Sequence, residues 1–146
     1  MSLRDLYQEI IVDHGKMPRN FGKLSTANHC QAGHNPLCGD KLMVYLLEQN
    51  GLVSEVRFEG AGCAISVASA SLMTEAVKGK TINEIETLFG AFHYLVTEGK
   101  DPAIDVGKLA AFAGVAEFPV RVKCATLAWH TLIAALMNKT EAVSTE

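Results

Sequence analysis

Asn50-Gly51 restricts this chain more than any other pair of residues in it. Asn-Gly accepts the left-handed backbone of a two-residue hairpin turn, so it ties its two flanks into an antiparallel pair. The flank before it, residues 41–48, is strongly apolar. The flank after it, Val53 to Glu59, alternates. Ser54, Val56 and Phe58 lie on one face, and Glu55, Arg57 and Glu59 on the other. A strand with one wet face belongs to a sheet covered on one side only. A further short strand is expected near residues 29–33, inside a loop-rich stretch from 20 to 39 that carries Gly22, Gly33, Pro36 and Gly39.

The remaining chain reads as helix. Leu3, Leu6, Tyr7, Ile10 and Ile11 recur at helical spacing over residues 3–14, with His14-Gly15 and Pro18 as the stop. Residues 64–78 form a helix rich in Ala and Ser that lets its backbone approach the sheet and ends at Gly79. Thr81-Ile-Asn-Glu84 is a capping box, and Ile82, Ile85, Leu88, Phe89, Phe92 and Leu95 make the stripe of the helix behind it. A loop over 99–107 and a short helix over 108–113 lead to Pro119. That proline opens a terminal helix marked by Val122, Ala125, Trp129, Leu132, Ile133 and Leu136. Residues from about 139 to 146 read as a frayed tail. The expected fold is α+β, a small antiparallel sheet with helices packed on one face, in a single domain spanning 1–146. At 146 residues and 49% hydrophobic the chain supplies one core of its own.

Several function classes drop out. No apolar run nears the ~20 residues that span a bilayer. The N-terminus lacks the basic and apolar regions of a signal peptide, so the cytoplasm is expected and a membrane partner is not. A net charge of −3 with no Lys/Arg-rich block argues against nucleic acid.

Four cysteines stand at 30, 38, 63 and 124, with no Cys-x-x-Cys pair. In a cytosolic chain of this size, metal binding or thiol chemistry is the expected use. Cys38 and Asp40 flank Gly39 just before a strand, where residues two apart in extended chain point the same way. Cys63 follows Gly60-Ala-Gly62 at a helix start, which favours the thiolate, and Cys124 lies early in the last helix. Three thiolates and a carboxylate make a soft four-ligand set that suits tetrahedral zinc or iron in an iron–sulfur centre. The gaps of 25 and 61 residues between Cys38, Cys63 and Cys124 match no local finger pattern. From the residues alone, buried apolar cysteines and a turn-forming Asp40 stay open as the other reading.

Three motifs in order carry a family likeness. Asn35-Pro-Leu-Cys38-Gly-Asp40 comes first, and Gly60-Ala-Gly-Cys63-Ala-Ile-Ser66 with Ala68-Ser-Ala-Ser71 second. Phe118-Pro-Val-Arg-Val-Lys-Cys124-Ala-Thr-Leu-Ala-Trp129 is the third. From about residue 4 to 137 the chain closely resembles the IscU/NifU-N family of U-type iron–sulfur assembly proteins. His14 and Pro18-Arg19-Asn20 look like that family's N-terminal motif. The resemblance implies a metal held by Cys38, Asp40, Cys63 and Cys124. Lys123 stands where scaffold-type members carry a His. A longer stretch, including Glu98 to Asp105, separates Cys63 from Cys124. Both features resemble the SufU branch.

That branch implies zinc, and a sulfurtransferase in which Cys38 accepts sulfur from the persulfide of a PLP-dependent, SufS-like cysteine desulfurase. Downstream iron–sulfur assembly proteins would be its further partners. The alternative is a scaffold or carrier that holds iron or a transient [2Fe–2S] cluster on the same ligands. A purely structural zinc protein and a zinc hydrolase are the remaining rivals, the latter without the His-Glu-x-x-His its chemistry uses. Cys30 matches no family ligand and reads as a bystander, and His34 reads as a polar loop residue. His14, His29, His93 and His130 show no mutual metal spacing and read as structural or exposed. Arg121 matches an Arg of the SufU motif, to pair with Asp40, a partner protein or solvent. Trp129 fits the core stripe of its helix.

Overall fold

A computed structural model describes residues 2–138 and 142–145. The Asn50-Gly51 turn forms with both residues at positive φ, 56° and 79°. It joins β2 (Asp40–Gln49) to β3 (Leu52–Ala61), and β1 (His29–Asn35) pairs antiparallel with the other side of β2. A two-residue strand, β4 (Val143–Ser144), adds to β1 in parallel opposite Gly33 and His34. The sheet is therefore mixed, in the order β3-β2-β1-β4, with its three long strands antiparallel as expected. Of the tail expected to fray, residues 139–141 and 146 lie outside the described residues.

The inner face of the sheet buries Leu42, Val44 and Leu46 from β2 and Val53, Val56 and Phe58 from β3. Val53 departs from the simple alternation. A bulge sets Leu47 opposite Glu55 and Glu48 opposite Val53, so Ser54 is the extra residue and its hydroxyl donates to the Leu47 carbonyl at 3.2 Å. One inserted residue reverses the phase of side chains beyond it, which turns Val53 inward.

All the helices cover this one face. α1 (Leu3–Lys16) starts at a capping box between Ser2 and Asp5 and runs two residues past its expected end. Its stripe is only partly covered: Tyr7, Ile10 and Ile11 are half-buried, while Leu3 and Leu6 are exposed. α2 (Ala64–Val77) is buried almost all round. Its small residues admit α1 and α4 as well as β3, and its hydroxyls bond to those neighbours. Ser69 donates to the Ala125 carbonyl, and Ser71 meets the buried His14 ring at 2.7 Å. α3 (Ile82–Glu98) opens at the Thr81–Glu84 capping box and closes at Gly99 in the left-handed conformation. The short helix expected over 108–113 is a longer 3-10 helix, Gly107–Glu117. α4 (Pro119–Leu136) then places Trp129 in the core against Phe89 and Phe92. Among the described residues no helix is long and apolar enough to cross a membrane.

Candidate metal centre

The β1–β2 connection is a four-residue turn, Pro36 to Gly39, closed by the facing pair Asn35 and Asp40. Cys38 sits on this turn. Gly39 follows at φ 71°, a conformation that costs a residue with a Cβ but not glycine. Cys38 and Asp40 therefore converge through a turn and not, as the spacing implied, along extended chain. Asp40 is fully buried and Cys38 is half-buried.

Two helix starts face this turn. Cys63 is the N-cap residue of α2, and its amide N–H donates to Asp40 Oδ1 at 2.8 Å. Cys124, in the second turn of α4, is fully buried, and its Sγ lies 3.1 Å from Cys38 Sγ. One donor atom each from Cys38, Asp40 and Cys124 lie within 4.8 Å of one another, a group that could hold a metal ion. Cys63 lies outside that trio, near both Cys124 and Arg121.

The electrostatics are those of a site short of positive charge. Burial pushes the Cys124 thiol well above its ordinary range, reinforced by the neighbouring Cys38, Asp40 and Cys63 side chains. Asp40 Oδ2 is buried with no hydrogen-bond partner. A buried carboxylate oxygen left in that state is costly unless a cation meets it. Arg121 is the neighbouring cation. Its pKa is raised, first by the charge of Cys63 and then by hydrogen bonds to Cys63 and Cys124. The family likeness implies Asp40, a partner protein or solvent as the counterpart of Arg121, whereas in the structure its neighbours are the two thiols. The converging donors, two sulfurs and a carboxylate oxygen, fit a borderline-soft ion such as zinc, and equally iron.

Residues 6–138 match the family model described as the NifU-like N terminal domain. The chain belongs to this family. Several proteins similar to it are named iron–sulfur cluster assembly scaffold proteins. The zinc-dependent sulfurtransferase SufU of Bacillus subtilis (strain 168) is 42% identical over 133 residues, 90% of this chain and 89% of that protein. The iron–sulfur cluster assembly scaffold protein IscU of Streptococcus pyogenes serotype M1 is 38% identical over 141 residues, 96% of this chain and 88% of that protein. The SUF-system protein FiSufU of Fervidobacterium islandicum AW-1 superposes with a TM-score of 0.83 at 36% identity, covering 92% of this chain and 99% of that one.

The other singled-out residues fall away from the centre. Cys30 is exposed on the open face of the sheet, opposite the face that carries Asn35, with Met43 Sδ 3.3 Å from its sulfur. His34 lies in β1 and not in a loop, its carbonyl taking the Thr145 N–H. His29 bonds the Ala135 carbonyl through Nδ1 at 2.9 Å. His93 and His130 are brought together by α3 and α4, ring centroids 6.5 Å apart. One residue of the centre had no role assigned from sequence. Asn35 is fully buried and donates its side-chain N–H to Cys124 Sγ at 3.6 Å. The Asn-Pro pair is a turn signal, but it does not reveal the sulfur contact.

Proposed function

We propose that this chain is a zinc-dependent sulfurtransferase of iron–sulfur cluster biogenesis. It would work in the cytoplasm with a PLP-dependent cysteine desulfurase and hand sulfur on to downstream assembly proteins. Cys38, Asp40, Cys63 and Cys124 are the proposed metal ligands, and Cys38 the sulfur acceptor. The observation that carries the reading is the convergence of donor atoms from Cys38, Asp40 and Cys124 within 4.8 Å of one another, with Asp40 Oδ2 buried and unpartnered. Likeness to SufU of Bacillus subtilis supports zinc over a permanent cluster. So does Lys123, a poor ligand while protonated, in place of a His.

Bound zinc would hold the thiolates deprotonated at neutral pH. The chain itself supplies access. Cys38 stands on an exposed turn beside an opening lined by Leu37, Cys63, Phe118, Val120 and Arg121, whereas Cys124 is anchored inside α4. Exposed Leu37, Phe118 and Val120 give that opening an apolar rim on which another protein can seat. The Cys38 thiolate attacks the terminal sulfur of the donor's persulfide. A new S–S bond forms on Cys38, the donor's S–S bond breaks, and its cysteine leaves as a thiolate. One sulfur atom moves, and no external oxidant is needed.

A second reading rests on the scaffold IscU of Streptococcus pyogenes. In it the same donors hold a transient [2Fe–2S] cluster. One experiment divides the two. Protein purified without added metal is analysed for metal and then assayed for stimulation of desulfurase turnover. The sulfurtransferase reading expects a colourless protein with one zinc per chain. Stimulation should be lost in Cys38→Ser and kept in Cys30→Ser. A gain of about 32 Da should appear on the Cys38 peptide. A brown, iron-loaded protein whose Cys38→Ser variant stimulates as wild type does would put the scaffold reading in its place.

A further inference from the structure

Asn35 makes three contacts that no ligand role explains. Its carboxamide is fully buried at the inner end of β1, directly across the ladder from Asp40. Its Oδ1 accepts from the Leu37 N–H at 3.2 Å, and its backbone carbonyl accepts from the Cys38 N–H at 3.2 Å. Its Nδ2 donates to Cys124 Sγ at 3.6 Å. The amide's orientation is fixed by this network. Leu37 N–H can only donate, so it must meet the oxygen, and that leaves the NH2 group to face the sulfur.

We propose that Asn35 is a positioning residue with two separable functions, one toward Cys38 and one toward Cys124. This inference rests on the metal-binding reading above. Through Oδ1 and its carbonyl, Asn35 folds Pro36 to Gly39 into an Asx-type turn and sets where Cys38 stands. Through Nδ2 it gives the buried Cys124 sulfur an N–H donor. A hydrogen bond to a thiolate draws electron density from the sulfur and weakens its donation to a metal. Asn35 thus distinguishes the two thiolates. Cys124 is held and damped inside the protein, and Cys38 faces the opening with no donor from Asn35 on its sulfur. Loss of the Asn35 donor should therefore strengthen donation from Cys124 to a bound metal.

Two variants separate the functions. Asn35→Ser keeps an acceptor for the Leu37 N–H, as a Ser turn, but its hydroxyl is too short to reach Cys124. Asn35→Ala loses both. Purified wild type and both variants are loaded with zinc or with Co(II). The readouts are the thiolate-to-cobalt charge-transfer band and iodoacetamide labelling of Cys38 in the zinc-loaded protein. Both variants should move the charge-transfer band to longer wavelength, because the freed Cys124 sulfur donates more strongly. Only Asn35→Ala should label faster at Cys38. An unshifted band in Asn35→Ser overturns the Cys124 function, and equal Cys38 labelling in Asn35→Ala and wild type overturns the turn function. Asn35→Ser decides the sulfur contact even where Asn35→Ala fails to fold. A wild type that takes up neither metal overturns the zinc reading itself, and this inference with it.

Discussion

The amide of Cys63 donates to Asp40 Oδ1 at 2.8 Å, so the start of α2 and the start of β2 are locked together through the carboxylate that faces the other donors. One oxygen of Asp40 is committed to this contact, and the other, Oδ2, is left without a partner. The lock depends on the residue between them in space. Gly62 passes so close to Asp40 that there is no room for a Cβ beside Oδ1.

Gly62→Ala should therefore damage both fold and centre. The new methyl would also lie 3.0 Å from Asp40 Cγ and 3.1 Å from its Cα, so the backbone must move. Overpacking of this kind costs about 1–3 kcal/mol. Urea denaturation should show that loss, and the purified variant should retain less zinc. Gly90→Ala is the control. It lies inside α3 with nothing within 4 Å of the added Cβ, and it should stabilise by about 0.5–1 kcal/mol.

Stripping the metal should lower stability by an amount that tracks free zinc. The donors converge only in the folded chain, so zinc held there would favour the native state over the unfolded one. At free zinc one hundred times Kd the gain is about 2.7 kcal/mol. Thermal melts at a series of buffered zinc concentrations should rise accordingly. Asp40→Ala should shrink the zinc-dependent rise without abolishing it, since it leaves the thiolates. A melting temperature indifferent to zinc would remove the metal reading.

What the sequence disclosed follows the range of the forces involved. The β2–β3 hairpin was legible because Asn50-Gly51 carries its own turn chemistry, and the capping box at Thr81 because its partners are three residues apart. The bulge at Ser54 was not, because it is fixed by pairing with Leu47 and Glu48 on another strand. The convergence of Cys38, Asp40 and Cys124 came through a motif likeness, not through spacing. Their separation in sequence is closed only when α4 packs beside β1. The place of Cys63 outside the trio, and the meeting of His93 with His130, depend on how helix starts and faces dock. No local pattern encodes that.

Acid should loosen the contact between α1 and α2 before it reaches the carboxylates. His14 is buried, with Nδ1 2.7 Å from Ser71 Oγ and Nε2 3.8 Å from Glu75. Its pKa is lowered below 6.5, chiefly by burial and then by Arg19, with Glu75 and Asp13 opposing. The unfolded chain therefore takes up the proton first as pH falls. The stability His14 contributes is complete above about pH 6.5 and is lost as pH falls from there through its lower folded value. His130 is lowered by burial and by His93, and it adds in the same direction. Urea midpoints of the metal-free protein should fall between pH 8 and pH 5.5, and His14→Asn should flatten that fall. An unchanged slope would place the pH response elsewhere.

Arg121 should govern the reactivity of the thiols when no metal is bound. It is exposed, so the pairing is screened by solvent and worth little to stability. Yet the charge of Cys63 is the largest influence on its guanidinium, followed by hydrogen bonds to Cys63 and Cys124. The interaction is reciprocal, so the guanidinium stabilises negative charge developing on the Cys63 sulfur. Arg121→Gln removes the charge and keeps a polar side chain. In metal-free protein at neutral pH this variant should alkylate more slowly at Cys63, while Cys30, on the far face of the sheet, should react at the wild-type rate. Peptide mass spectrometry after timed iodoacetamide exposure separates the two. Zinc should erase the difference at Cys63, because a bound cation replaces the one removed. If Cys63 in Arg121→Gln alkylates as fast as in wild type, the guanidinium does not set the reactivity of that thiol.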